Sequence, residues 1–256
     1  MTIKAGFDLG STAIKVVLAD GEKILWSGKT PTAPGQLTLA QELLGKGLAE
    51  LGLTADSVSQ VAATGYGKRL CGLAEAQIDE IRANSLGLFR LSEGRARHIV
   101  NIGGQDIKLI RLDDRGLVSD FKMNDKCAAG TGRFFELVAR LLDTPITEFS
   151  RLSQESTENI TLNSTCVVFA ESEMVSLMAK GVGNSDIIKA LHAAVARRVA
   201  AMMGRSDLGE GVWLDGGPAM NRALVEAMED ELMTDVFVLE KPQYTVAYGA
   251  VLSLGL

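Results

Sequence analysis

The chain has 256 residues, of which 46% are apolar, 23% charged and 5% aromatic, and its 32 acidic and 26 basic side chains give a net charge of −6. That length and a positive mean hydropathy suit two small domains with buried cores and exclude wholesale disorder. The acidic balance, with no basic tract, excludes an electrostatic footprint for nucleic acid or an anionic membrane.

The N-terminus enters a strand, Ile3 to Leu9, almost at once, without the basic and apolar regions of a secretion signal, and no apolar stretch is long enough to span a bilayer. A cytoplasmic location is expected. Phe7 to Asp20, FDLGSTAIKVVLAD, and Val100 to Asp113, VNIGGQDIKLIRLD, align without a gap, so that Asp8 falls on Asn101, Gly10 on Gly103, Ile14 on Ile107 and Lys15 on Lys108. Each copy reads as strand, polar glycine turn, second strand and charged turn. The repeat predicts two related β-units with a boundary near residue 95, giving domains 1–95 and 96–256.

Between the copies, Leu37, Leu39, Leu43, Leu44, Leu48 and Leu51 form a helical stripe stopped by Gly52. Val58 to Ala63 is a short buried strand, and a helix is predicted over Ala74 to Glu93. In the second half, Phe134 to Leu142 and Ile187 to Met202 are helical, the latter with Asn184 or Ser185 able to cap it. The strand Val212 to Leu214 runs into Asp215-Gly216-Gly217-Pro218. A helix with Met220, Leu224, Met228 and Leu232 on one face follows, then a strand from Val236 to Leu239 and a closing helix from Tyr248 to Leu254.

A phosphate chain needs backbone N–H donors that can approach closely, which favours glycine, with a hydroxyl or cation beside them. Gly10-Ser11-Thr12 with Lys15, and Gly103-Gly104-Gln105, supply these groups. Asp8 and Asp106 can hold a hydrated Mg²⁺, and Gln105 can orient an attacking water. Neither a P-loop nor a dinucleotide fingerprint is present.

D-L-G-S-T at Asp8 to Thr12, I-G-G-Q-D at Ile102 to Asp106 and D-G-G at Asp215 to Gly217 resemble, in order, the two phosphate loops and the adenosine loop of actin-like ATPases. The resemblance implies an α/β fold of two ribonuclease H-like domains with mixed sheets. It also implies a nucleotide cleft between them, in which Gly216 and Gly217 run beside the nucleoside.

Of the three cysteines, Cys127 stands before the Phe134 helix and Cys166 heads an apolar segment that can become helical. A helix N-terminus stabilises a thiolate and equally an anionic iron–sulfur cluster. On spacing alone both also suit small packing residues. A cubane needs four thiolates, and two copies of the chain would supply them from Cys127 and Cys166. N-D-K-C-A-A-G-T-G-R-F and S-T-C-V-V-F-A-E-S-E resemble the activator ATPases of 2-hydroxyacyl-CoA dehydratases and benzoyl-CoA reductases.

That second resemblance, which covers essentially the whole chain, implies a 4Fe-4S cluster ligated by Cys127 and Cys166 across a homodimer. It further implies ATP and Mg²⁺ as ligands, a ferredoxin or flavodoxin as electron donor, and a cluster-containing CoA-ester dehydratase or reductase as acceptor. The T-G-Y-G turn, Thr64 to Gly67, belongs to the same pattern, although its residues alone show only a tight turn. Cys71 reads as a partly buried thiol, and His98 and His192 as structural. The alternative activity on such a fold is a small-molecule kinase, with Asp106 as the base that activates an acceptor hydroxyl. A nucleotide switch or filament subunit is the non-enzymatic alternative.

Overall fold

In the computed structural model, residues 2–124, 127–163, 166–204 and 207–255 are described. Two compact units form: residues 1–97, 112–119 and 243–256 make one, and residues 98–111 and 120–242 the other.

The first unit begins with an antiparallel meander of β1 (Ile3–Leu9), β2 (Ala13–Asp20) and β3 (Lys23–Pro31). Residues on both faces of β1 and β2 are buried, so their apolar runs are near-continuous and do not alternate. After α1 (Gln36–Glu50), β4 (Val58–Thr64) lies parallel to β1, and the two-residue β5 (Ala76–Gln77) parallel to β4. The sheet order is β3-β2-β1-β4-β5. Helix α1 buries Ala40, Leu43 and Leu48 in the same core as Phe7, Leu9 and Ile14. It stops where Gly52 turns left-handed at φ +68°.

Helix α2 (Glu80–Leu91) starts later than the apolar pattern predicts. The segment before it is claimed by the β5 pairing with β4, and the Asp79 carboxylate then caps the helix by accepting from the Arg82 N–H at 2.8 Å.

The second unit repeats this order. Strands β6 (His98–Ile102), β7 (Ile107–Leu112) and β8 (Val118–Asn124) form the meander, and β9 (Val212–Gly216) and β10 (Val236–Val238) extend it in parallel. The order β8-β7-β6-β9-β10 matches that of the first sheet strand for strand. Between β8 and β9 come α3 (Gly132–Leu141), α4 (Phe149–Gln154), α5 (Val167–Ala179) and α6 (Asn184–Met203), and α7 (Arg222–Leu232) precedes β10. Ile187, Leu191, Val195 and Val199 of α6 share one core with Val100, Ile102 and Leu214 of the sheet.

Two details of this unit differ from expectation. Asn184 does not cap α6: its amide donates to Leu142 O at 3.2 Å, and Gly183 occupies the cap. Met220 is not on the α7 face. Pro218 to Met220 form a separate 3₁₀ turn that leaves Met220 exposed, and Asn221 then caps α7 by accepting from the Leu224 N–H at 3.3 Å.

The chain returns to the first unit in α8 (Thr245–Leu252), where Tyr248 and Val251 bury Val17 and Ala19 on the sheet. The approach is close enough to require glycine. A Cβ on Gly249 would stand 1.6 Å from Ala83 O of α2, and one on Gly6 of β1 would stand 2.1 Å from Ala247 O. Among the described residues no helix is long and apolar enough to cross a membrane.

Candidate functional site

In each unit the glycine turns stand at the carboxyl ends of two adjacent parallel strands, where open α/β sheets place their ligands. In the first unit these strands are β1 and β4, in register at Asp8 and Thr64. In the second they are β6 and β9, in register at Ile102 and Gly216.

Gly10, Ser11 and Thr12 link β1 to β2. Thr32 braces the link, its hydroxyl donating to Gly10 O at 2.8 Å and its N–H to Thr12 O at 2.9 Å. No side chain fits at Gly10, because a Cβ there would lie 2.8 Å from Ala13 O. Lys15, the cross-strand partner of Asp8, donates to Asp8 Oδ2 at 2.7 Å. Asp8 Oδ1 and the Thr12 hydroxyl are buried with no hydrogen-bond partner among the described residues. Lys29, in register with Lys15, has its pKa lowered by partial burial and then by the Lys15 charge.

The second turn runs from Gly103 to Asp106, closed by the Gly103 N–H donating to Asp106 O at 2.9 Å. Its side chain Gln105 is exposed. The duplication survives here with one exchange. Asn101 stands where the first copy has Asp8, and its amide donates to Asp215 Oδ1 at 2.7 Å. The lysine partner shifts to Asp106: Lys108 donates to Asp106 Oδ1 at 2.6 Å, with side-chain exposures of only 2% and 6%.

Gly216 closes β9 at φ +93°, and a Cβ on it would lie 2.1 Å from Ile102 O. Gly217 follows in the ordinary helical region and leads into the 3₁₀ turn.

Both candidate cluster thiols belong to the second unit; neither is in a disulfide and both are half-buried. Cys166 is the N-cap residue of α5. Cys127 precedes α3 in a loop that reaches the second glycine turn through the helix start. There the Gly132 N–H donates to Gly103 O at 2.9 Å and the Arg133 N–H to Gly104 O at 3.0 Å. Gly132 permits that contact, since a Cβ on it would sit 3.3 Å from Gly104 Cα. Asp125, Lys126, Ser164 and Thr165, within the two cysteine motifs, lie outside the described residues. Cys71 is buried against the first core, which pushes its thiol pKa up.

His192 lies in the core of the second unit, with Nδ1 3.2 Å from Ser153 Oγ and Nε2 2.9 Å from the Asn221 amide. Burial lowers its pKa to about 4. His98 is half-buried on β6, with its pKa lowered by burial and then by Arg111. Sequence reasoning passed over Thr64 as part of a tight turn. Its signal was position, a hydroxyl and a glycine directly after a strand that pairs with the Asp8 strand.

The sequence model of the BadF/BadG/BcrA/BcrD ATPase family matches residues 5–253. The chain is 42% identical to the activator of lactoyl-CoA dehydratase of Anaerotignum propionicum over 248 residues, covering 96% of this chain and 95% of that protein. Among solved structures it is similar to the activator of the 2-hydroxyisocaproyl-CoA dehydratase from Clostridium difficile with bound ADPNP. There the identity is 36%, the TM-score 0.93, and the coverage 98% of this chain and 94% of that one. It is likewise similar to the Acidaminococcus fermentans (R)-2-hydroxyglutaryl-CoA dehydratase component A, at 32% identity and a TM-score of 0.93, covering 99% and 97%. The fold is that of the actin-like ATPases. With the family match spanning nearly the whole chain and relatives this close, the protein belongs to the BadF/BadG/BcrA/BcrD ATPase family.

Proposed function

We propose that this chain is a cytoplasmic ATP-hydrolysing iron–sulfur activator, working as a homodimer between a ferredoxin or flavodoxin and a partner CoA-ester dehydratase or reductase. The observation that carries the proposal is the pair of backbone hydrogen bonds from Gly132 and Arg133 to Gly103 and Gly104. They tie a phosphate-type turn to the helix that follows Cys127, so a shift of the turn on nucleotide binding or hydrolysis is transmitted to the cysteine loop. The names of the relatives, which are dehydratase activators, point the same way.

The residues fit the groups this reading requires. Cys127 and Cys166 are half-buried in one unit and not in a disulfide, half the ligand set of a cubane, and a second copy would complete it. When bound, a 4Fe-4S cluster supplies a one-electron centre that the donor protein can reduce and the acceptor enzyme can oxidise. Asp8 suits a hydrated Mg²⁺, since its Oδ1 is buried and has no hydrogen-bond partner among the described residues.

Gly10, Ser11 and Thr12, with Lys15, would bind phosphate oxygens in the first unit, and Gly103 and Gly104 in the second, by N–H donation. Gln105, exposed at its turn, would orient the attacking water. Asp106, engaged by Lys108, would hold that ammonium at the turn. This engagement also disfavours the kinase reading, in which Asp106 must take a proton from an acceptor. Gly216 and Gly217 would admit the nucleoside.

Anaerobic purification with iron and sulfide analysis is the test. About four irons per dimer are expected, lost in Cys127→Ala and in Cys166→Ala, with ATP hydrolysis measured alongside. A metal-free protein with intact ATPase activity would falsify the cluster assignment.

A further inference from the structure

The T-G-Y-G turn, Thr64 to Gly67, begins at the carboxyl end of β4. Thr64 is fully buried at the end of β4, and its hydroxyl has no hydrogen-bond partner among the described residues. In the parallel pairing of β1 with β4 it is the register partner of Asp8, whose Oδ1 is also buried and unpartnered. Register partners on adjacent strands project to the same side of a sheet, about 5 Å apart. The two oxygens are therefore neighbours that do not bond each other.

Two glycines wall this place. Gly65 turns the chain at φ +85°, and a Cβ on it would lie 2.7 Å from the Leu9 carbonyl and 2.8 Å from Asp8 Oδ1; one on Gly10 would lie 3.6 Å from the same atom. Any side chain at residue 65 would thus fill the space in front of the carboxylate. The Thr12 hydroxyl adds another buried, unpartnered oxygen in the neighbouring turn. Buried polar groups are rarely left unpaired, because each keeps the desolvation penalty that a partner would offset. Several in one corner indicate a polar occupant that donates to them.

A buried water needs two to four polar partners, and a hard divalent cation such as Mg²⁺ keeps several of its waters while taking only one or two carboxylates. From this the geometry points to Thr64 as a positioning residue. Its hydroxyl and Asp8 Oδ1 together hold one water of the hydration shell of a divalent cation, and Gly65 keeps the space for that water. The role deepens the ATPase reading proposed above and rests on it. Thr64 touches neither nucleotide nor the reacting phosphorus; it acts through the water.

The test is titration of Mn²⁺ into the full-length protein with ADP, reading free Mn²⁺ by electron paramagnetic resonance. Thr64→Val keeps the shape and removes the hydroxyl, and Thr64→Ser restores it. Thr64→Val is expected to weaken Mn²⁺ binding about tenfold, the size of one lost hydrogen bond to a charged site, with Thr64→Ser close to wild type. Binding of a fluorescent ADP in EDTA is expected to be the same in Thr64→Val and wild type, and the variant to melt no lower.

Wild-type Mn²⁺ affinity in Thr64→Val overturns the inference and leaves the ATPase reading standing. Equal loss in Thr64→Val and Thr64→Ser also overturns it, since the hydroxyl is then not what matters. A wild-type protein that binds neither ADP nor Mn²⁺ sinks both.

Discussion

The Glu173 carboxylate accepts from the backbone N–H of Asn163 at 2.9 and 3.2 Å and from its side-chain amide at 3.3 Å. Glu173 lies on α5 about two turns beyond Cys166, so the contact latches the segment before the cysteine to the helix after it. Glu173→Ala removes the acceptor. In metal-free protein the Cys166 alkylation rate is then expected to rise about fivefold, the factor that about 1 kcal/mol of latch is worth. Glu173→Gln, which keeps one acceptor oxygen, is expected to fall between. Mass spectrometry of iodoacetamide-treated samples, with Cys71 as the buried internal control, decides it.

Acid weakens the second unit through His192. Asn221 Oδ1 is committed to the Leu224 N–H, so the Asn221 amide donates to His192 Nε2, and Nδ1–H is left to donate to Ser153. Protonation would place a donor against a donor. The folded pKa, lowered to about 4, lies below the unfolded value of 6.5, so the unfolded chain binds the extra proton. Stability is therefore complete above pH 6.5 and is lost as pH falls toward 4, by about 3 kcal/mol over that window. Urea unfolding at pH 7 and pH 4.5 is expected to show a smaller loss in His192→Gln than in wild type. An equal loss in both would remove His192 from the account.

The Lys108–Asp106 pair is buried on both sides. Lys108→Met takes the ion-pair partner from a buried carboxylate and is expected to cost up to about 3–5 kcal/mol. The double variant Lys108→Met with Asp106→Asn is expected to recover a large part of that. Lys15→Met is expected to cost less, because Lys15 keeps 23% of its side chain in solvent. Chemical denaturation of these three variants, of Asp106→Asn alone and of wild type closes the cycle.

Gly216 and Gly217 look alike in sequence and separate in structure. Alanine at residue 216 meets both a left-handed φ of +93° and the Ile102 carbonyl. It is expected to cost at least about 3 kcal/mol and to abolish nucleotide binding. Residue 217, at φ −62° and ψ −50°, has backbone angles that alanine adopts freely. Gly217→Ala is expected to fold like wild type within about 1 kcal/mol. Thermal melts with and without ADP distinguish the two.

The repeated strand, turn, strand pattern was legible because it depends on local periodicity and on glycine, and it marks both glycine turns. The α1 stripe with Gly52 was legible for the same reason. What escaped depends on neighbours distant in the chain. The late start of α2 follows from β5 pairing with β4, and the failure of Asn184 to cap α6 from a carbonyl more than forty residues upstream. The place of Met220 follows from Asn221 serving as the cap of α7. Thr64 became visible only when the β1–β4 register put it beside Asp8. The exchange of Asp8 for Asn101 was plain in the alignment, but its compensation through Asp215 and the Lys108–Asp106 pair was not.

The glycine contacts of α8 bear on the order in which the protein matures on the ribosome. Val17 and Ala19 are covered by a helix encoded more than two hundred residues later, after every residue of the second unit. The second unit can close as soon as it has been synthesised, whereas the first must wait with one sheet face uncovered. During that interval the exposed face of β1 and β2 is the surface on which a chaperone would act, and the arrival of Gly249 against Ala83 completes the fold.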